Sequence, residues 1–314
     1  MPCNSSPANF NPETDIPSLD GRVIFVTGGT NGLGKQSVLE FARHNPREIW
    51  LAARNMVQAR TVADEIAQTV PGATIRILEL DLTSFSSVEK AAKTFLSACD
   101  RLDILMLNAG IMAVPPGTTN EGYEIQFGTN HMGHALLTKL LLSILDKTIN
   151  TVPRADVRIV SVSSNGHRYS RRGGFRFDSL TTTRDDLGAY ERYYQSKLAN
   201  VLWVKQMAEL YPQLRVAAVH PGVVQTHLAA GATASPIMLR AFAKVAYRLF
   251  KPVEEGVRNQ LWASVARDVH SGEYYEPVGV RGRTSEDGKD RKLAQELWEW
   301  TESELNRYLA RSVK

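Results

Sequence analysis

The chain has 314 residues, 43% of them hydrophobic and 22% charged, a balance that excludes wholesale disorder and suits one or two folded domains. Its net charge of +4 is scattered, with local clusters at Arg168, Arg171, Arg172 and Arg176 and at Arg281 and Arg283, and lacks the aromatic-laced basic stripe of a nucleic-acid binder. The 2 cysteines, Cys3 and Cys99, offer neither a disulfide framework nor a zinc spacing, and no stretch approaches the ~18 apolar residues that span a membrane, so a cytoplasmic setting is expected.

Residues 1–20 carry Pro2, Pro7, Pro12 and Pro17 and read as an irregular arm. The run RVIFVT (22–27) then predicts a strand, glycines follow it, and residues 35–44 have helical spacing. EIWLAA (48–53), TIRILEL (74–80), DILMLN (103–108), VRIVSVS (157–163) and RVAAVH (215–220) predict further strands. Helical patterns at 57–70, 86–98, 121–146 and 191–210 lie between them, and 291–309 reads as an amphipathic C-terminal helix. Short strands alternating with longer helices imply βαβ crossovers. The expected fold class is therefore α/β, with a parallel sheet buried on both faces by helices.

Two stretches break this rhythm, 165–190 after the fifth strand and 225–250 after the sixth. Both leave the carboxyl ends of strands, where open α/β sheets hold ligands, so with 111–118 they are the expected substrate loops. Within the second, Arg240, Lys244 and Arg248 form a basic stripe beside Met238, Phe242, Val245 and Leu249. Segment 237–251 is read as a pocket lid, with a membrane-surface helix as the alternative.

Directly after the first strand comes Thr27-Gly28-Gly29-Thr30-Asn31-Gly32-Leu33-Gly34, and a helix follows. Gly28 permits a tight turn, Gly32 a close approach of backbone to pyrophosphate, and Gly34 close packing of helix on sheet, while the free N–H groups and the positive helix end suit phosphate. An NAD site usually places Asp or Glu at the end of the second strand. Here that place reads Leu51-Ala52-Ala53-Arg54-Asn55, so Arg54, with Lys35 in support, favours the 2′-phosphate of NADP(H) over NAD(H).

Tyr193-Tyr194-Gln195-Ser196-Lys197 opens a helical segment, and the four-residue spacing puts Tyr193 and Lys197 on one face. A free phenol titrates near 10, too high for acid–base work at neutral pH, and a nearby ammonium favours the phenolate. Such a pair can exchange a proton with a substrate oxygen while hydride moves to or from carbon.

Taken together, these motifs resemble the short-chain dehydrogenase/reductase family over roughly residues 20–280. Asp81-Leu82 is similar to its adenine-contacting pair, and Asn108-Ala109-Gly110 to the signature closing the fourth strand. Asn130 matches the helix asparagine that supports a proton-relay water, Ser164 the donor to the substrate oxygen, and Tyr193 and Lys197 the catalytic pair. His220-Pro221-Gly222-Val223-Val224-Gln225-Thr226 resembles the segment holding the nicotinamide carboxamide, which implicates Pro221, Gly222, Val224 and Thr226. The long interval from Ser164 to Tyr193, with NHMGHALLTKLLL and SKLANVL, is similar to retinol-dehydrogenase-like and fungal members.

The resemblance implies a single Rossmann-type domain over 21–314, with a doubly wound, mostly parallel sheet of about seven strands flanked by helices. It also implies an NADP(H)-dependent carbonyl reductase or alcohol dehydrogenase, with Tyr193 as acid/base, Lys197 lowering its pKa and binding the ribose, and Ser164 stabilising charge on oxygen. It suggests a moderately hydrophobic ketone of retinoid, steroid or secondary-metabolite type, and a homo-oligomer or a monomer. A non-catalytic NADP(H)-sensing protein on the same fold is the alternative. Sugar-nucleotide epimerisation is disfavoured by the glycine spacing and the modest C-terminal region. His131, His134 and His220 lack accompanying carboxylates, so no metal is expected, and Trp298 and Trp300 read as core or interface anchors.

Overall fold

The computed structural model describes residues 6–224 and 250–312. Seven strands form one sheet: β1 (Val23–Thr27), β2 (Glu48–Ala53), β3 (Ile75–Glu79), β4 (Ile104–Leu107), β5 (Arg158–Val162), β6 (Arg215–Val219) and β7 (Glu273–Tyr275). Their order is β3-β2-β1-β4-β5-β6-β7, and every pairing is parallel. Among the described residues the expected parallel sheet is found, with every strand pairing parallel.

Parallel strands need covered faces, and the residues supply two cores. Along β1, Val23 and Phe25 join one core while Ile24 and Val26 join the other, the alternation that a pleated strand imposes. The first core is closed by α3 (Phe85–Ala98), α4 (Gly133–Thr151), α5 (Ala189–Leu210) and α7 (Arg291–Ser312). The second is closed by α1 (Gly32–Ala42), α2 (Met56–Thr69) and α6 (Arg258–Val265). β3 lies at one edge and is the least buried strand, with charged Arg76 and Glu79 exposed, which blunts edge-to-edge pairing. Strand order reverses between β1 and β4, the kind of switch point at whose carboxyl ends open α/β sheets hold ligands.

The N-terminal arm is docked from Ala8 to Leu19. Phe10, Ile16 and Leu19 are buried in the second core, Pro12–Asp15 forms a helical turn, and the Ala8 N–H donates to Val278 O at 2.8 Å. The helix expected over 121–146 starts at Ile125, passes through a π-helical turn at Gly128–Met132 and continues as α4 to Thr151. The C-terminal helix extends to Ser312, and its Trp298 stacks on Trp203 with centroids 6.1 Å apart. Trp300 sits in a ring cluster with Tyr123, Phe127 and Phe177, so both tryptophans anchor α7. Nearly all of 225–250 and Thr226 fall outside the described residues. No described helix is long and apolar enough to cross a membrane.

Candidate active site

The turn after β1 is shaped by glycines at two levels. Gly28 has φ +68° and Gly32 φ +49°, both left-handed. Gly34, inside α1, lies so close to the turn that a Cβ there would be 2.2 Å from Gly28 O and 2.6 Å from Asn108 Nδ2. Asn31, the N-cap of α1, does not cap it, because its Oδ1 accepts from Gln58 Nε2 at 2.9 Å. The first N–H groups of α1 therefore have no side-chain cap, which fits an anion-binding helix end. Thr30 and Leu33 complete the turn and are half-buried.

The end of β1 is clamped to the end of β4. Thr27 Oγ1 accepts from the N–H groups of Asn108 and Ala109, each at 3.0 Å, and bonds His134 Nε2 at 2.9 Å. The Asn108 amide donates to Thr27 O at 2.9 Å. His134 Nδ1 reaches Asn130 O at 3.1 Å, and burial lowers this imidazole to about 4, leaving it neutral. His131 bonds Thr301 of α7 at 3.0 Å, so these two histidines tie helices and strands together.

Asn130 lies within the π-turn, a local widening that often marks functional sites. Its side chain accepts from Ile111 N–H at 2.8 Å and donates to Ile111 O at 3.0 Å and to Ser196 Oγ at 2.9 Å. Ser196 in turn donates to Tyr193 O at 2.7 Å. A Cβ on Gly110 would stand 3.2 Å from Asn130 Oδ1 and 3.5 Å from Lys197 Nζ, so Asn130, Gly110 and Lys197 converge.

α5 carries the tyrosine–lysine pair and is stapled to β5. Lys197 Nζ donates to Val162 O at 2.8 Å, and Ser163 Oγ donates to Lys197 O at 2.8 Å. Nζ lies 5.7 Å from the Tyr193 ring centroid. Both side chains are buried, and Ser164 and Tyr193 share a hydrogen bond. Ser164 Oγ also accepts from Gly166 N–H at 3.0 Å.

Burial lowers Lys197 to about 8 and pushes the Tyr193 phenol up to about 12, while the bond to Ser164 pulls the phenol down. The ammonium lies over the ring face, and desolvation sets the direction in which the phenol is shifted. Tyr193 therefore holds its proton at neutral pH.

The remaining expected residues lie just beyond the carboxyl ends of β2, β3 and β6 and at the start of α1. Arg54 is exposed and, with Asn55, Met56, Val57 and Glu79, lines an open concavity of about 630 Å³ at the ends of β2 and β3. Lys35 is ion-paired with Glu65. Asp81 accepts from the N–H and hydroxyl of Thr83 at 2.9 and 2.8 Å, and buried Leu82 packs beneath Gly133. Beyond β6, His220 is buried and lowered to about 4 chiefly by burial, Pro221 is half-buried, Gly222 has φ +92°, and Val224 packs on Gly256.

One cluster has no counterpart in the expected set. Arg192 and Glu124 form a buried ion pair at 3.2 Å, with side chains 2% and 1% exposed. Arg192 also donates to Leu187 O at 2.7 Å and Val114 O at 2.9 Å, and Gln126 joins Ala113 N–H to Ala189 O. The cluster fixes the start of α5, and hence Tyr193, against the loops after β4 and β5. Its sequence signal was weak, being one arginine beside a tyrosine pair and one glutamate before a helix.

Comparison with known proteins gives consistent matches. A family model described as short chain dehydrogenase matches residues 22–175. The short-chain dehydrogenase/reductase drtF of Aspergillus calidoustus is 35% identical over 306 residues, covering 93% of this chain and 96% of that protein. Retinol dehydrogenase 12 of Mus musculus is 32% identical over 284 residues, covering 89% and 85%. The crystal structure of an uncharacterized protein from Mycobacterium paratuberculosis superposes with TM-score 0.71 at 28% identity, covering 94% of this chain and 97% of that one. A short chain dehydrogenase from Shigella flexneri complexed with NADP has TM-score 0.63 at 22% identity, a likeness of fold, covering 83% and 98%.

Proposed function

This chain belongs to the short-chain dehydrogenase/reductase family, with retinol-dehydrogenase-like relatives, and from that premise we propose that it is an NADP(H)-dependent reductase of a moderately hydrophobic carbonyl compound. The observation that carries this reading is the convergence of Ser164, Tyr193, Lys197 and Asn130 beside the glycine turn.

The residues present fit a nicotinamide dinucleotide, given the uncapped start of α1, the left-handed Gly28 and Gly32, and exposed Arg54 at the end of β2. Gly28, Thr30, Asn31, Gly32, Leu33 and Gly34 would hold its phosphates, Arg54 its 2′-phosphate, and Asp81-Leu82 and Asn108-Ala109-Gly110 its adenosine side. Lys197 would hold the ribose, with Pro221, Gly222, Val224 and Thr226 beside the nicotinamide. When bound, the cofactor supplies or accepts the hydride.

The chain's own groups manage the oxygen. Ser164 Oγ donates a hydrogen bond to the substrate oxygen and stabilises charge there. Tyr193 OH gives the proton to the substrate oxygen during reduction, and a phenol pushed up to about 12 carries that proton at neutral pH. Lys197, lowered to about 8, remains mostly an ammonium at pH 7, and its charge favours the phenolate left behind. Asn130 holds Ile111 and Ser196, and so the geometry between α4 and α5, beside a route for proton resupply.

The relatives named for retinol support an apolar substrate. The test is NADPH oxidation against a diverse panel of ketones and aldehydes, with NADH in parallel. Turnover with NADPH preferred is expected; tight NADPH binding with no turnover would move the assignment to a sensor. A preference for NADH would overturn the role of Arg54. Arg54→Asp should weaken NADPH about 10- to 100-fold, as expected for losing charge-assisted bonds to a phosphate, while sparing NADH.

A further inference from the structure

Ser164 begins a tight 3-10 turn, Asn165–Tyr169, at the head of the loop after β5. The turn is pinned from within by His167, whose Nδ1 bonds Ser164 O at 2.7 Å and whose Nε2 accepts from Ser285 N–H at 3.1 Å. Its last residue, Tyr169, is 67% exposed, an unusual place for a large aromatic side chain. The Tyr169 ring meets Tyr194, centroid to centroid at 5.6 Å, and Tyr194 meets Tyr190 at 6.2 Å. Tyr194 also lies 6.1 Å from the Tyr193 ring.

The middle ring is seated beside the oxygen-handling groups. A Cβ on Gly166 would come 2.8 Å from Tyr194 Cδ1 and 3.2 Å from Ser164 Oγ, so the Tyr194 ring lies against the residue that donates to Ser164. Tyr190 and Tyr194 are four apart on α5, and ordinary helix-surface pairing accounts for those two. It does not account for a third, exposed ring brought from a different segment and held on the same pinned turn as Ser164.

We propose that Tyr169, Tyr194 and Tyr190 form an aromatic subsite that receives a planar, conjugated or aromatic group attached to the reacting carbonyl. The proposal rests on the reading of Ser164 and Tyr193 as the groups that hold the reacting oxygen. With the oxygen there, the rest of the substrate meets a row of ring faces and edges, which favour a flat π-system through offset or edge contacts. A small aliphatic ketone engages Ser164 and Tyr193 and makes no contact with Tyr169. The substrate class is therefore an aryl ketone.

The test uses the full chain with NADPH and two ketones of equal carbon count, 2-acetylnaphthalene and its fully saturated decalin analogue. Binding is read by calorimetry and turnover by NADPH absorbance. The flat ketone should bind wild type more tightly, and the ratio of the two affinities should fall up to about tenfold in Tyr169→Ala, the scale of one ring contact, while Tyr169→Phe keeps it. A ratio unchanged in Tyr169→Ala, a ratio lost equally in Tyr169→Phe, or binding of neither ketone to wild type would overturn the subsite. A ring-dependent ratio without reduction of either ketone would uphold the subsite and reject the reductase reading. Reduction with no ring dependence would do the reverse.

Discussion

Gly34→Ala sets two effects of known size against each other. In a helix interior, alanine is better than glycine by about 1 kcal/mol, so propensity alone predicts stabilisation. Sterics predict the opposite, because the new Cβ would stand 2.2 Å from Gly28 O and 2.6 Å from Asn108 Nδ2. The first of these is backbone and cannot swing aside. Relief requires α1 to move from the turn by about 1 Å, since ordinary carbon–oxygen contacts begin near 3.3 Å. Overpacking of this kind costs about 1–3 kcal/mol, which outweighs the propensity gain. The displacement also misplaces the N–H groups at the start of α1, and a 1 Å misplacement can cost about 100-fold in a tuned site. NADPH affinity by fluorescence titration, alongside circular dichroism to verify the fold, reads both effects. The expected result is a folded protein of slightly lower stability with NADPH weakened by about 10- to 100-fold. NADPH affinity within threefold of wild type would refute the packing argument.

Arg192→Met leaves Glu124 buried without its cation and should cost about 3–5 kcal/mol in a denaturant titration. Adding Glu124→Gln should recover part of this, and strictly additive losses would show that the two do not act as a pair. Burial lowers His131 to about 3 and His134, His167 and His220 to about 4, all from 6.5. Unfolding therefore takes up protons below pH 6.5, so stability is lost as pH falls from about 6.5 towards 4, at up to about 1.4 kcal/mol per pH unit for each histidine. Thermal melts that stay flat across this window would contradict neutral burial of these rings. With Lys197 lowered to about 8, the ammonium is lost as pH rises through that value, so the reductive rate should decline above about 8, and a rate rising to pH 10 would count against its role.

The alternation of short apolar strands and longer helices was legible because parallel strands, buried on both faces, read as continuous hydrophobic runs. β7 and α6 were not. β7 has three residues, too few to show a period, and α6 carries Asn259, Gln260 and Ser264 buried alongside Leu261 and Trp262, so it has no polar face to mark it. The glycine turn was legible because Gly34 has a single steric reason to be glycine. The Thr27–Asn108–His134 clamp and the Arg192–Glu124 pair were not, since they join residues far apart in the chain through geometry that no local pattern encodes. The titration of Tyr193 was legible only in part: spacing placed Lys197 on its face, whereas the depth of burial that raises the phenol came from packing.

The most direct test of the central claim is the turnover of Tyr193→Phe on any ketone that the wild-type protein reduces, with NADPH affinity measured on the same preparation. The substitution keeps the ring and its packing and removes only the hydroxyl shared with Ser164. The expected result is a loss of kcat of at least about 100-fold, the scale of a removed general acid, with NADPH affinity largely retained. Near-normal turnover in Tyr193→Phe would contradict it.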